Sequence, residues 1–234
     1  GAWVLRPDGA PAGAVLPVSA TAATSTGIAV TAPHPTHPDF PPHVRAISLG
    51  RLNSPVQDAA GAATGPGRAT LAAGLTSADT SRADIITVTG SREQVRGQLP
   101  AAMHDSAAVG IGGALYLFGG GDGVRQLDQI LRVDPATGTS TRVGTLPAPS
   151  SDGAGAAIGG TAYIVGGYDG SAWLDTIVAW TPGGAARIVA HLPTALRYAA
   201  VTAAAGRIVI AGGTTPDGAA TAVVQQFDPS TGHV

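Results

Sequence analysis

The stretch Ala107-Ala108-Val109-Gly110-Ile111-Gly112-Gly113-Ala114-Leu115-Tyr116-Leu117-Phe118-Gly119-Gly120 decides how this chain is read. Two short apolar runs are each closed by a glycine pair. Runs of this length bounded by glycine turns are strands rather than helices. Further along come Gln129-Ile130-Leu131-Arg132-Val133, the turn Asp134-Pro135-Ala136-Thr137-Gly138, and a last run ending Arg142-Val143-Gly144. Together they make a unit of four short strands. The unit recurs. Ala162-Tyr163-Ile164-Val165 leads to Gly166-Gly167, and Arg207-Ile208-Val209-Ile210 leads to Ala211-Gly212-Gly213. The Asp-Pro turn returns as Asp228-Pro229-Ser230-Thr231-Gly232.

A marker sets the period. Leu99-Pro100, Leu146-Pro147 and Leu192-Pro193 stand 47 and 46 residues apart. The same step backward reaches Leu52 and then Leu5. A fixed period of this size points to a repeat architecture, and five repeats follow: 5–51, 52–98, 99–145, 146–191 and 192–234. The second is worn, with Ala73-Gly74 in place of the glycine pair. The first lacks the pair altogether and carries a Pro/His-rich insert at 31–43. From Leu192 to Val234 is 42 steps, and the five to Leu5 complete another 47. Residues 1–4 are therefore expected to supply a closing strand beside the run Val223 to Phe227.

Strand, double glycine, strand, loop, strand, Asp-Pro turn, strand resembles the kelch repeat, in a degenerate form rich in alanine and glycine. The resemblance implies an all-β kelch-type propeller with five repeats, or part of a six- or seven-bladed one. A lone four-stranded sheet cannot bury both faces, and stacking sheets around an axis does so. The tyrosine and tryptophan typical of the later strands are replaced here by Thr139, Ser140, Thr141 and Arg142. The resemblance also implies a ligand or partner site around one mouth of the central channel.

Composition excludes several functions. The 234 residues carry 13 basic and 15 acidic side chains, for a formal net charge of -2. No basic stripe is present, so nucleic acid is not an expected partner. No apolar run is long enough for a spanning helix. The absence of cysteine removes disulfides, thiolate metal sites and cysteine nucleophiles. It also removes the copper-radical oxidase reading, which needs a cysteine joined to a tyrosine. All thirteen basic residues are arginine, a composition that points to a bacterial source. The expected location is extracellular or on the cell envelope.

Comparing equivalent positions gives the candidate site. Six residues after the markers stand Asp58, Asp105, Asp152 and Tyr198, preceded by Gln57, His104, Ser151 and Arg197. By the resemblance, this point leads into the innermost strand at the channel mouth. Asp58, His104, Asp105, Asp152, Arg197 and Tyr198 are therefore expected to bind a ligand or partner. An acidic rim broken by one arginine favours a cation, an arginine or an amine. The alternative is that each aspartate caps its own turn. His34, His37 and His43 sit among prolines and read as a surface loop. No metal, cofactor or catalytic residue is assigned. The expected function is a non-catalytic module binding a protein, glycan or small molecule. The alternatives are an epimerase- or lyase-type enzyme on a sugar or small acid, and a structural propeller without a ligand.

Overall fold

The computed structural model describes residues 50–234 together with Ala23–Thr24 and Gly27–Ile28. The latter two pair as a minimal antiparallel hairpin, β1 and β2. They belong to a unit 1–51, separate from the unit 52–234 that carries the rest of the fold.

The larger unit is all strand. Sheet one holds β3 (Ala60–Gly65), β4 (Arg68–Ala72), β5 (Arg82–Thr89) and β6 (Arg92–Met103). Sheet two holds β7 (Ala107–Ile111), β8 (Ala114–Phe118), β9 (Gln129–Val133) and β10 (Ser140–Thr145). Sheet three holds β11 (Ala154–Ile158), β12 (Thr161–Val165), β13 (Thr176–Trp180) and β14 (Arg187–His191). Sheet four holds β15 (Ala200–Ala204), β16 (Arg207–Ala211) and β17 (Val224–Phe227). Each is an antiparallel meander in chain order. The first strands pack on one another in series, β3 on β7, β7 on β11 and β11 on β15, which makes them the innermost. Each sheet is thus one blade of a propeller-like arrangement.

Four blades are present among the described residues, not the five expected. The remaining one corresponds to 5–51, the repeat without a glycine pair, whose span lies outside the described residues apart from β1, β2 and residues 50–51. The expected closing strand at residues 1–4 and the insert at 31–43 also lie outside them.

The core lies between blades rather than inside any one of them. Leu115, Leu117, Leu131 and Val133 of blade two bury against Ala60 and Ile85 of blade one. Trp180 of blade three packs on Tyr116 and Phe118 of blade two, with ring centres 5.1 and 5.5 Å away. Phe227 of blade four meets Tyr163 at 5.7 Å. The marker leucines Leu99, Leu146 and Leu192 are buried in these layers. The N–H groups of Leu146 and Leu192 donate to the carbonyls of Asp128 and Asp175, two aspartates that also stand one repeat apart.

Glycine is required where blades lock together. Gly119 and Gly120 have φ of 63° and 104°, a region that penalises a side chain. A Cβ on Gly119 would collide with the Ser150 carbonyl. That carbonyl accepts from the Gly120 N–H at 2.7 Å, and Gly167 donates to Leu196 in the same way at 2.8 Å. The second strand of each blade therefore anchors the chain entering the next blade. The residues that follow the anchor are the candidate site.

Candidate functional site

Just past each anchor the chain turns into the innermost strand through a left-handed residue. These residues are Asp58, Asp105, Asp152 and Tyr198, with φ of 52°, 54°, 59° and 57°. They are stitched blade to blade by the backbone. The Asp105 N–H donates to the Asp58 carbonyl, Asp152 to Asp105, and Tyr198 to Asp152, at 3.2, 2.9 and 3.0 Å. Four equivalent points of the sequence thus become one continuous row across the ends of the inner strands. Aspartate tolerates the left-handed region because its short side chain bonds locally. Tyrosine does not, and holding it there costs on the order of 1 kcal/mol.

Beside this row the residue before each turn forms lateral bridges within its own blade. Gln57 is bridged to Leu75 and Leu75 to Ser81, and His104 to Gly121 and Gly121 to Gln126. Ser151 is bridged to Tyr168 and Tyr168 to Trp173, and Arg197 to Thr214 and Thr214 to Ala220. These bridges bring in two residues that were not expected at the site from the sequence, Tyr168 and Trp173. The signal for Tyr168 was its place directly after Gly166-Gly167, equivalent to Leu75, Gly121 and Thr214. Trp173 had no comparable signal.

Arg197 is the hub of the row. Its guanidinium carbon lies 4.4 Å from the Tyr168 ring centre, 4.9 Å from Trp173 and 5.0 Å from Tyr198. Its Nη2 is ion-paired with Asp152 Oδ2 at 2.7 Å and donates to the Tyr198 hydroxyl at 3.0 Å. Asp152, whose side chain is only 3% exposed, also accepts from the Ser151 hydroxyl. A buried carboxylate needs such partners to remain charged.

Asp105 has no such cation. Burial, then the charges of Asp152 and Asp58, push its carboxyl up to about 7, and Arg197 offsets this only in part. The Asp152 carboxyl raises it both by its charge and as a hydrogen-bonding neighbour that favours the protonated form. His104 Nε2 stands 3.8 Å from Asp105 Oδ2, and its Nδ1 is bonded to the Ser81 hydroxyl at 2.9 Å. Burial and the Asp152 charge also raise the Tyr198 hydroxyl.

The turn-capping alternative fails for Asp105 and Asp152. Capping aspartates do occur in this chain. Asp122, Asp134 and Asp169 accept backbone N–H bonds, and these hold their carboxyls below the usual range. Among the described residues no backbone N–H reaches the Asp105 or Asp152 carboxylate, and Asp105 shifts the opposite way.

Among the described residues no three ligating side chains gather to hold a metal, and no helix is long and apolar enough to cross a membrane. A cavity among the described residues lies elsewhere, against blade three and the segment leading into it, lined by Leu146, Ile164, Leu174, Val178 and Ile188. Its volume of about 50 Å³ falls well below the several hundred Å³ of small-molecule pockets.

Comparison with known proteins agrees with this architecture. The Kelch motif matches residues 102–147, a span that covers blade two. Blade two thus carries a kelch motif, and it is one of four meander blades that together make a kelch-like propeller arrangement among the described residues. No curated protein matches it. Among solved structures it is similar to the structure of YjhT, with a TM-score of 0.67 and 15% identity. That match covers 77% of this chain and 65% of the other, so this chain spans about two thirds of that protein's length. At this identity the likeness is one of fold alone. A kelch propeller fits an interaction-module role, since the fold presents a rigid surface and does not by itself define a chemistry.

Proposed function

We propose that this chain is a non-catalytic binding module, and that the row formed by Asp58, His104, Asp105, Asp152, Arg197 and Tyr198 is its binding surface. The observation that carries the reading is the imbalance at Asp105. Two carboxylates crowd it and one arginine answers only part of their charge. A primary ammonium brought to Asp105 supplies the cation it lacks, so binding relieves the repulsion. The favoured ligand is therefore an amine-bearing group, carried by a protein, a glycan or a small molecule. We also propose a bacterial source, which the arginine-rich, lysine-free composition supports, and a location on the envelope or exterior.

Titration calorimetry of the full chain with 3-methylbutan-1-amine at pH 8 tests this. Binding in the millimolar range, weakened about tenfold or more by Asp105→Asn, is the expected result. This uses the cost of removing one charged partner. No heat from the amine, or equal affinity in the variant, would refute the reading.

One observation favours a second reading. A carboxyl that titrates near 7 beside an imidazole is suited to general acid–base work, as an epimerase- or lyase-type enzyme requires. Turnover of a sugar or small acid that is abolished in both His104→Gln and Asp105→Asn would establish it over simple binding.

A further inference from the structure

Two donors in the site have no acceptor within the described chain. Arg197 Nε and Trp173 Nε1 are both shielded from solvent and unbonded. They belong to one cluster, since the guanidinium carbon lies 4.9 Å from the indole centre. Buried donors are nearly always paired, and an exception calls for an explanation. Other orphans exist, such as Trp180 Nε1, but that indole is sandwiched in an inter-blade layer against Tyr116 and Phe118. The Arg197–Trp173 pair instead adjoins an exposed residue. Tyr198 is 55% exposed, its ring lies on the guanidinium, and its backbone is held in a conformation tyrosine disfavours. Strain kept at one point of an otherwise acidic row marks a position where the side chain itself is used.

We propose that Arg197 and Trp173 form an oxyanion subsite beside Asp105, so that the ligand is a small zwitterion carrying an ammonium and a carboxylate a few atoms apart. This rests on the amine reading of the same surface and adds its opposite pole. The ligand carboxylate accepts from Arg197 Nε and Trp173 Nε1 as the exposed Tyr198 ring moves aside, while the ammonium sits at Asp105. Asp152 links the two poles: it is ion-paired with Arg197, and its charge acts on Asp105. A free amino acid is the smallest ligand that carries both charges. Arginine is the usual partner for a carboxylate because its planar donors match the two oxygens.

The test uses a matched trio on the full chain at pH 8: leucine, 3-methylbutan-1-amine and 4-methylpentanoate. These share one side chain and differ only in the charged groups. Leucine is expected to bind at least about tenfold more tightly than the amine, with the acid weaker still. Trp173→Phe keeps a ring under Arg197 and removes the indole donor. It should weaken leucine about three- to tenfold, leave the amine unchanged and leave the melting temperature within about 2 °C of wild type. Equal binding of leucine and the amine would overturn the oxyanion subsite while leaving the amine reading intact. Acid binding as tight as leucine, or no binding of any of the three at about 50 mM, would overturn both. Unchanged leucine affinity in Trp173→Phe would remove Trp173 from the subsite.

Discussion

Replacing Asp105 by asparagine should make this protein more stable at pH 8 and leave it unchanged at pH 4. The direction follows from linkage. In the folded chain the Asp105 carboxyl is raised from 3.8 to about 7, so the native state holds its proton more tightly than the unfolded state. The associated stability is fully present below the unfolded value of 3.8 and is lost as pH rises through about 7. A shift of about three pH units corresponds to at most about 4 kcal/mol. The side chain is 19% exposed and crowded by Asp152, so solvent and the neighbour take up part of this, leaving about 2 kcal/mol. Asparagine cannot ionise, tolerates the left-handed φ of 54° as aspartate does, and can donate to Asp152. For a domain of this size about 2 kcal/mol is roughly 4–8 °C in melting temperature. The assay is thermal unfolding of wild type and variant at pH 4 and pH 8. The difference should be close to zero at the lower pH and positive at the higher. A variant equally stable to wild type at both, or less stable at pH 8, would show that Asp105 is ionised and well partnered in the fold, and the argument from unanswered charge would fail.

Three further outcomes follow from the same geometry. Affinity for an amine ligand should rise about tenfold between pH 6 and pH 8, because Asp105 goes from about one-tenth to about nine-tenths ionised across its value of about 7; a flat calorimetric profile would contradict it. Arg197→Ala should lower stability by about 3–5 kcal/mol at pH 8, since it leaves the buried Asp152 carboxyl without its cation; denaturant unfolding measures this, and a loss under about 1 kcal/mol would contradict it. Gly110→Ala should cost about 1–3 kcal/mol, because its Cβ would meet the Ala63 carbonyl where β7 crosses β3; an unshifted melting temperature would mean that the two inner strands are not in such close contact.

How far the site could be read in advance depended on what repeats. The strand runs 107–111, 114–118 and 129–133 coincide with β7, β8 and β9, because glycine pairs and apolar alternation are local signals. The equivalence of Asp58, Asp105, Asp152 and Tyr198 was legible for the same reason, and their shared left-handed φ is its physical content. The blade count was not legible. A 47-residue step can be extended backward through any leucine, and Leu5 begins a stretch without a glycine pair, so the period carried the count further than the strand-and-turn pattern did.

The roles of the four equivalent residues were not legible either, because they come from contacts across blades. Nothing near Asp152 in sequence distinguishes it from Asp105. Yet Asp152 lies against Arg197 from the next blade and keeps its charge answered, whereas the corresponding residue beside Asp105 is Ser151, which donates a hydroxyl to Asp152 and brings no cation. One substitution in the repeat, arginine for serine at the position before the turn, therefore separates a settled ion pair from an unsettled carboxyl. Tyr168 and Trp173 complete the asymmetry, since the equivalent positions in blade two are Gly121 and Gln126, which offer Ser151 no ring. The fold comes from what the repeats share, and the site comes from the one blade junction at which they differ most.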